Sequence, residues 1–159
     1  MRDAVGKGNP MLVKQIMQTN LQTVRPDDPV SKVAKLIVLH RIAGIPVVDE
    51  KDRIVGIISE QDILKAMFPS YSEFIQDPML HTDFKSMEDR YLDVSKMRVR
   101  ELMKSQVFTV TPETAVLKAA SMMILKRIRR IPVIDGDRLV GIVSQGDVHK
   151  SFFQRMIME

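Results

Sequence analysis

The chain of 159 residues is 45% hydrophobic, has a net charge of +4 and contains no cysteine. That length suits one compact soluble domain, and the lack of cysteine excludes a disulfide framework. No apolar run approaches the roughly 18 residues of a membrane span, and the polar start MRDAVGKGNP lacks the hydrophobic stretch of a secretory signal. A reducing, cytoplasmic setting with no membrane partner is therefore expected.

After a tail (1–11), VKQIM at 13–17 reads as a short lead-in helix. Thr23-Val24 is a brief β signal. A proline and a helix start follow, with Asp28 the expected N-cap and Pro29 the first helical residue, where a missing N–H costs nothing. Val30, Val33, Ala34, Ile37 and Val38 have the i, i+3, i+4, i+7 spacing of one buried face. A hairpin comes next, IPVVD and RIVGII joined by a polar turn, and a second helix begins at Ser59.

Residues 66–98 then form an insert far longer than the roughly 2 to 6 residues usual between packed elements. Pro69 and Pro78 punctuate its first half. Phe84, Met87, Tyr91 and Val94 predict an amphipathic helix of about 14 residues beginning near Asp83. Its apolar stripe has two possible partners, its own chain or a second copy, the latter together with the tail Phe152, Phe153, Met156 and Ile157.

From VRELM at 99–103 the first pattern returns. Thr109-Val110, a Thr114 N-cap, a helix face of Val116, Ala119, Ala120, Met123 and Ile124, the hairpin IPVID and RLVGIV, and a helix from Ser144 repeat the earlier order. With one gap at Lys51, Thr23–Asp62 and Thr109–Asp147 share 20 of 39 residues. The unit is β-α-β-β-α, its two helices covering one side of a three-stranded sheet. A unit with an uncovered apolar face uses its copy as the other half of the core, so function is expected between the copies. The fold class is α/β (α+β), two units in a pseudo-twofold sandwich. Unit boundaries fall at 12–65 and 99–155, with the helical insert at 66–98 and the end of the last helix at 156–159.

Ser59 with Asp62, and Ser144 with Asp147, have the spacing of a capping box. A carboxylate in the first helical turn beside a sheet edge is equally placed to accept both hydroxyls of a ribose, and the two roles are compatible. Gly56 and Gly141 lie inside predicted strands, which marks either tight packing or close approach of another group. Charge is uneven: residues 99–150 carry +4 against +1 for 12–65 and −2 for 66–98, and the excess clusters as KRIRR at Lys126–Arg130. Such a cluster marks either an anion site or a solvated helix end.

The run of IPV and Asp followed by Gly, two apolar residues and Ser-x-x-Asp, present twice, resembles a tandem pair of CBS domains, the Bateman module, here without an attached catalytic or transport domain. That resemblance implies a regulatory module binding an adenine nucleotide or related ligand in clefts between the units, with AMP, ADP, ATP and S-adenosylmethionine the candidates and no cofactor required. It implies Asp62 and Asp147 as ribose ligands, with Ser59 and Ser144 beside them. Thr23, Ile45, Pro46 and Val47, and Thr109, Ile131, Pro132 and Val133, would line the adenine pockets. Before IPV the first copy has Ala43-Gly44 and the second Arg129-Arg130. A guanidinium fork suits a phosphate, so two unequal clefts are implied. The resemblance further implies a homodimer and a separate regulated protein.

Two other readings compete. A ligand-free dimerisation module would use the Ser-x-x-Asp boxes only as caps and show the same sequence. Nucleic-acid binding would use KRIRR, but no helix-turn-helix or zinc signature accompanies it, and two tyrosines and six phenylalanines offer little stacking surface. No enzyme activity is expected, because His40, His81 and His149 are scattered and neither a nucleophile–base pair nor a metal site can be assembled from spacing. The twelve methionines fall mostly at helical core positions, where they fill irregular gaps.

Overall fold

The hairpin is the centre of each repeat. In the computed structural model, which describes residues 8–158, β1 (Gly44–Val48) pairs antiparallel with β2 (Ile54–Ser59), and β3 (Arg130–Asp135) with β4 (Arg138–Ser144). Both hairpins slip register at the same place, between Val47 and Val48 and between Val133 and Ile134. Their turns differ by the extra Lys51. The second copy closes with the two residues Gly136-Asp137, Gly136 supplying the positive φ of 65° that a tight turn requires. The first has Asp52 at φ 59°, held by the Asp49 carboxylate, which accepts from the N–H groups of Lys51 (2.9 Å) and Arg53 (3.0 Å).

The expected first strand shrinks to one residue. Val24 bridges Val47 in parallel, donating to Pro46 O (3.2 Å) and accepting from Val48 N (2.9 Å); Val110 does the same beside Val133. Helices α1 (Val30–His40), α2 (Glu60–Met67), α3 (Tyr71–Gln76), α4 (Phe84–Lys96), α5 (Val99–Leu102), α6 (Val116–Lys126) and α7 (Gln145–Met158) complete the described residues, with 3-10 turns at Val13–Gln15 and Pro78–Thr82. Val30 and Val33 of α1, and Val116, Ala119 and Met123 of α6, are buried. Val38 and Ile124, expected on the same faces, are 75% and 69% exposed. Eight residues beyond the first buried valine, each lies about 80° round the helix and falls off the edge of the stripe.

Each helix starts one residue later than expected, because a different segment takes its first N–H. The residues at the N-caps are Pro29 and Ala115, which have no capping side chain. Instead Val30 N donates to Met97 O (2.8 Å) and Val99 N returns a bond to Asp28 O (2.9 Å). In the same way Val116 N donates to Met11 O (2.8 Å) and Val13 N to Thr114 O (2.8 Å). The lead-in before the second repeat thus caps the first repeat's helix, and the lead-in before the first caps the second's.

The cores follow this exchange. Val99 is fully buried with Val24, Val30, Val33, Ile45, Val47 and Ile58, whereas Val13 is fully buried with Val116, Met123, Ile131, Val133 and Val143. The described chain accordingly packs as two units, Gln22–Val107 and the residues up to Leu21 together with those from Phe108. The 1–11 tail lies mostly outside the described residues, as does Glu159.

The insert belongs to the Gln22–Val107 unit. Asp83 caps α4, accepting from Ser86 N (3.1 Å), which is where the stripe places the helix start. Met87 and Val94 are buried, but Phe84 is 66% and Tyr91 37% exposed, so only half the stripe is covered within the unit. Ahead of it α3 has its own capping box, Ser70 with Glu73, hidden in sequence because six residues are too few to show a period.

Two outcomes follow from this packing. A Cβ added at Gly56 would lie 2.6 Å from Met103 Sδ and 3.1 Å from Lys104 O, and one at Gly141 2.6 Å from Met17 Sδ and 3.2 Å from Gln18 O. Gly141→Ala is expected to destabilise by about 1 to 3 kcal/mol, the usual scale of overpacking, measured by urea unfolding. Asp28, for its part, is pushed up by burial, but the Arg25 N–H (2.8 Å) and the Lys32 ammonium (2.9 Å) outweigh this and hold its carboxyl below the ordinary range. A depressed folded pKa stabilises above the unfolded value and is lost as pH falls through the folded one. Asp28→Asn should therefore lower stability at pH 7 and converge with wild type near pH 2.

Candidate functional site

At the open end of each hairpin the strand gives way to a helix, and there the Ser-x-x-Asp segments sit. Ser59 N donates to Asp62 Oδ2 (2.8 Å), Ser59 Oγ donates to the same oxygen (2.9 Å), and Asp62 N donates back to Ser59 Oγ (3.3 Å). In the second copy Ser144 N donates to Asp147 Oδ2 (2.9 Å) and Asp147 N to Ser144 Oγ (3.0 Å). Both are capping boxes. Each uses one carboxylate oxygen and leaves Oδ1 for another partner.

That partner comes from the crossing lead-in, which sequence reading did not single out. Lys104 Nζ lies 3.7 Å from Asp62 Oδ1, whose side chain is only 10% exposed, and Gln18 Nε2 donates to Asp147 Oδ1 (3.2 Å). Lys104 and Gln18 hold equivalent places, each just after the methionine packed on a strand glycine. Each is clamped by two backbone bonds. Lys104 N donates to Ile57 O (2.8 Å) and Ile57 N to Lys104 O (3.0 Å), while Gln18 N donates to Ile142 O (2.8 Å) and Ile142 N to Gln18 O (3.0 Å). The one available signal was the repeated Met-polar pair at Met17-Gln18 and Met103-Lys104.

The remaining candidates gather on the same elements. Ile45, Val47, Ile131 and Val133 are fully buried, and Pro46 and Pro132 are buried beside them, so these side chains are core and only their backbone is available to a ligand. Gly56 faces Val47 across the hairpin and Gly141 faces Val133; the groups that approach both glycines closely are the lead-in methionines. Thr23 is exposed and Thr109 half-buried, each preceding the valine that bridges its strand.

Arg130 stands across from Ser144, and Gln145 N, the first donor of α7, bonds Arg129 O (2.9 Å). In the first repeat Gly44 stands across from Ser59 and Glu60 N bonds Ala43 O (3.0 Å). The backbone of the two arginines therefore adjoins the helix cap of their own unit. In KRIRR, Lys126 lies over the Phe108 ring (4.8 Å), Arg127 ends α6 in the left-handed conformation (φ 55°), and Arg129 is exposed. Among the described residues no group of three or more His, Asp or Glu side chains could hold a metal, and no helix is long and apolar enough to cross a membrane.

The CBS-domain family profile matches residues 13–69 and 99–153, and this chain belongs to that family. An uncharacterized protein of Methanocaldococcus jannaschii is 34% identical over 155 residues, spanning 89% of this chain and 90% of that one. An inosine-5'-monophosphate dehydrogenase of the same organism is 28% identical over 148 residues, of which this chain spans only 24%. Among solved structures, CBSX2 in complex with AMP is 26% identical, covering 91% of this chain and 98% of that one with a TM-score of 0.70. A CBS domain pair in complex with 5'-methylthioadenosine and S-adenosyl-L-methionine is 26% identical, covering 92% and 98% with a TM-score of 0.69.

Proposed function

We propose that this protein is a regulatory module that binds an adenosine-containing ligand, drawn from AMP, ADP, ATP and S-adenosylmethionine, with Asp62 and Asp147 accepting the ribose hydroxyls. The observation that carries the reading is the division of labour within each carboxylate. Oδ2 fastens the helix start while Oδ1 points at an exchangeable side chain, so a diol can be accepted without undoing the cap. The two solved CBS pairs that hold AMP, or methylthioadenosine and S-adenosylmethionine, support the ligand class.

Arg129 and Arg130 give the second repeat two guanidinium groups where the first has Ala43 and Gly44, so the two sites differ in their attraction for a phosphate. Ligand binding regulates by favouring one arrangement of a regulated assembly over another, to the extent of its differential affinity for them. Calorimetry with nucleotide-free protein tests the proposal. Heat is expected with at least one of the four ligands, and Asp147→Ala should weaken that ligand by roughly 1.5 to 3 kcal/mol, the scale of hydrogen bonds to a charged group. Replacing Arg129 and Arg130 by alanine should cost AMP more than adenosine. No heat with any adenosine ligand would leave the Ser-x-x-Asp boxes as caps alone.

The module is also proposed to pair with a second copy. Val38 and Leu39 of α1, Leu117 and Leu125 of α6, and Met156 and Ile157 of α7 are all at least 63% exposed, more apolar helix surface than an isolated chain gains from leaving in water. Light scattering at micromolar concentration should give twice the 18.2 kDa chain mass. A dimer that survives Phe84→Asp with Tyr91→Asp would clear the insert of responsibility for it.

A further inference from the structure

The two carboxylates receive their positive charge from different elements. Asp147 has a neutral amide, Gln18, on its free oxygen (3.2 Å), while arginines stand at the start of the adjoining strand. Asp62 has no arginine at the matching strand, which opens with Gly44 after Ala43, yet Lys104 reaches its free oxygen at 3.7 Å. We propose that Lys104 is the charge-selecting residue of the Asp62 site, favouring anionic over neutral adenosine ligands there, and that Gln18 leaves this task at Asp147 to the arginines. The inference rests on the adenosine reading above.

The physical case is one of a fixed stem and a movable head. The Lys104 backbone is held by its two bonds to Ile57, so the ammonium stays within a side chain's length of a fixed point beside the carboxylate. Its side chain is 63% exposed, and an ammonium has three rotatable donors. A ribose diol that takes Asp62 Oδ1 displaces the ammonium from its partner, which favours a ligand that brings an anion of its own for Lys104 to meet. A neutral nucleoside displaces the same ion pair and returns nothing to the lysine. A glutamine on the same stem is indifferent to the distinction, because it loses and regains only a neutral hydrogen bond.

The test isolates the site by working in an Asp147→Ala background, where calorimetry with AMP and with adenosine reads Asp62 alone. Lys104→Gln is expected to weaken AMP about five- to tenfold and adenosine less than twofold, a charge-assisted contact being lost for one ligand only. Lys104→Arg should keep the AMP preference, and a folded thermal transition for each variant excludes loss of structure as the cause. In the reciprocal Asp62→Ala background, Gln18→Lys should raise the AMP-to-adenosine ratio at Asp147. Equal losses for AMP and adenosine in Lys104→Gln, or an unchanged ratio in Gln18→Lys, overturns this assignment and leaves the adenosine reading standing. Absence of any heat with the wild-type protein overturns both.

Discussion

Everything in this protein depends on a short segment that reaches the core of the other repeat. A two-stranded hairpin is marginal in water by itself and needs other elements packed on its apolar face. Val99 and Val13 fill that deficit, each fully buried in a core built from the repeat it does not precede. Full burial of a valine stabilises by roughly 1.5 to 3 kcal/mol. The backbone on either side is used as well, since Met97 O and Met11 O take the first helix N–H groups that would otherwise need a side-chain cap. This explains why Pro29 and Ala115 can stand at those helix starts.

The same segment shapes the site. After its helical turn each lead-in lays a methionine on a strand glycine and then pairs its next residue, Lys104 or Gln18, with the strand that leads into Ser59 or Ser144. The side chain that meets Oδ1 of each carboxylate is therefore fixed by tertiary pairing, although it is 42 positions from Asp62 in one copy and 129 from Asp147 in the other. Packing and the placement of the side chain on the carboxylate share one strand edge here. A change at Gly56 or Gly141 moves the lead-in, and with it the side chain that meets the carboxylate.

The copies preserve this geometry while their charges have diverged. Register, bulge, bridge and capping box coincide between them, so the backbone of the site is duplicated. What differs is polar and local: Arg129-Arg130 against Ala43-Gly44, Gln18 against Lys104, a two-residue turn against one lengthened by Lys51. The first unit also takes up the insert, where α4 covers its core with Met87 and Val94 and leaves Phe84 and Tyr91 outside. Exposed polar residues alter without disturbing a packed core, so the copies keep one backbone while their surfaces differ.

Local periodicity and turn chemistry are written in the sequence by itself. The repeat, the hairpins, the helix starts at Ser59, Ser144 and Asp83, and the capping role of Asp62 and Asp147 were legible because each rests on residues within a few positions of one another. The family followed from the same duplicated motifs. Tertiary structure alone decided which lead-in serves which repeat, which of Val38 and Ile37 faces the core, and why Gly56 and Gly141 are glycines. It also placed Lys104 and Gln18 on the carboxylates. These depend on contacts between distant segments, and a valine, a methionine or a lysine reads the same along the chain whichever hairpin it packs against.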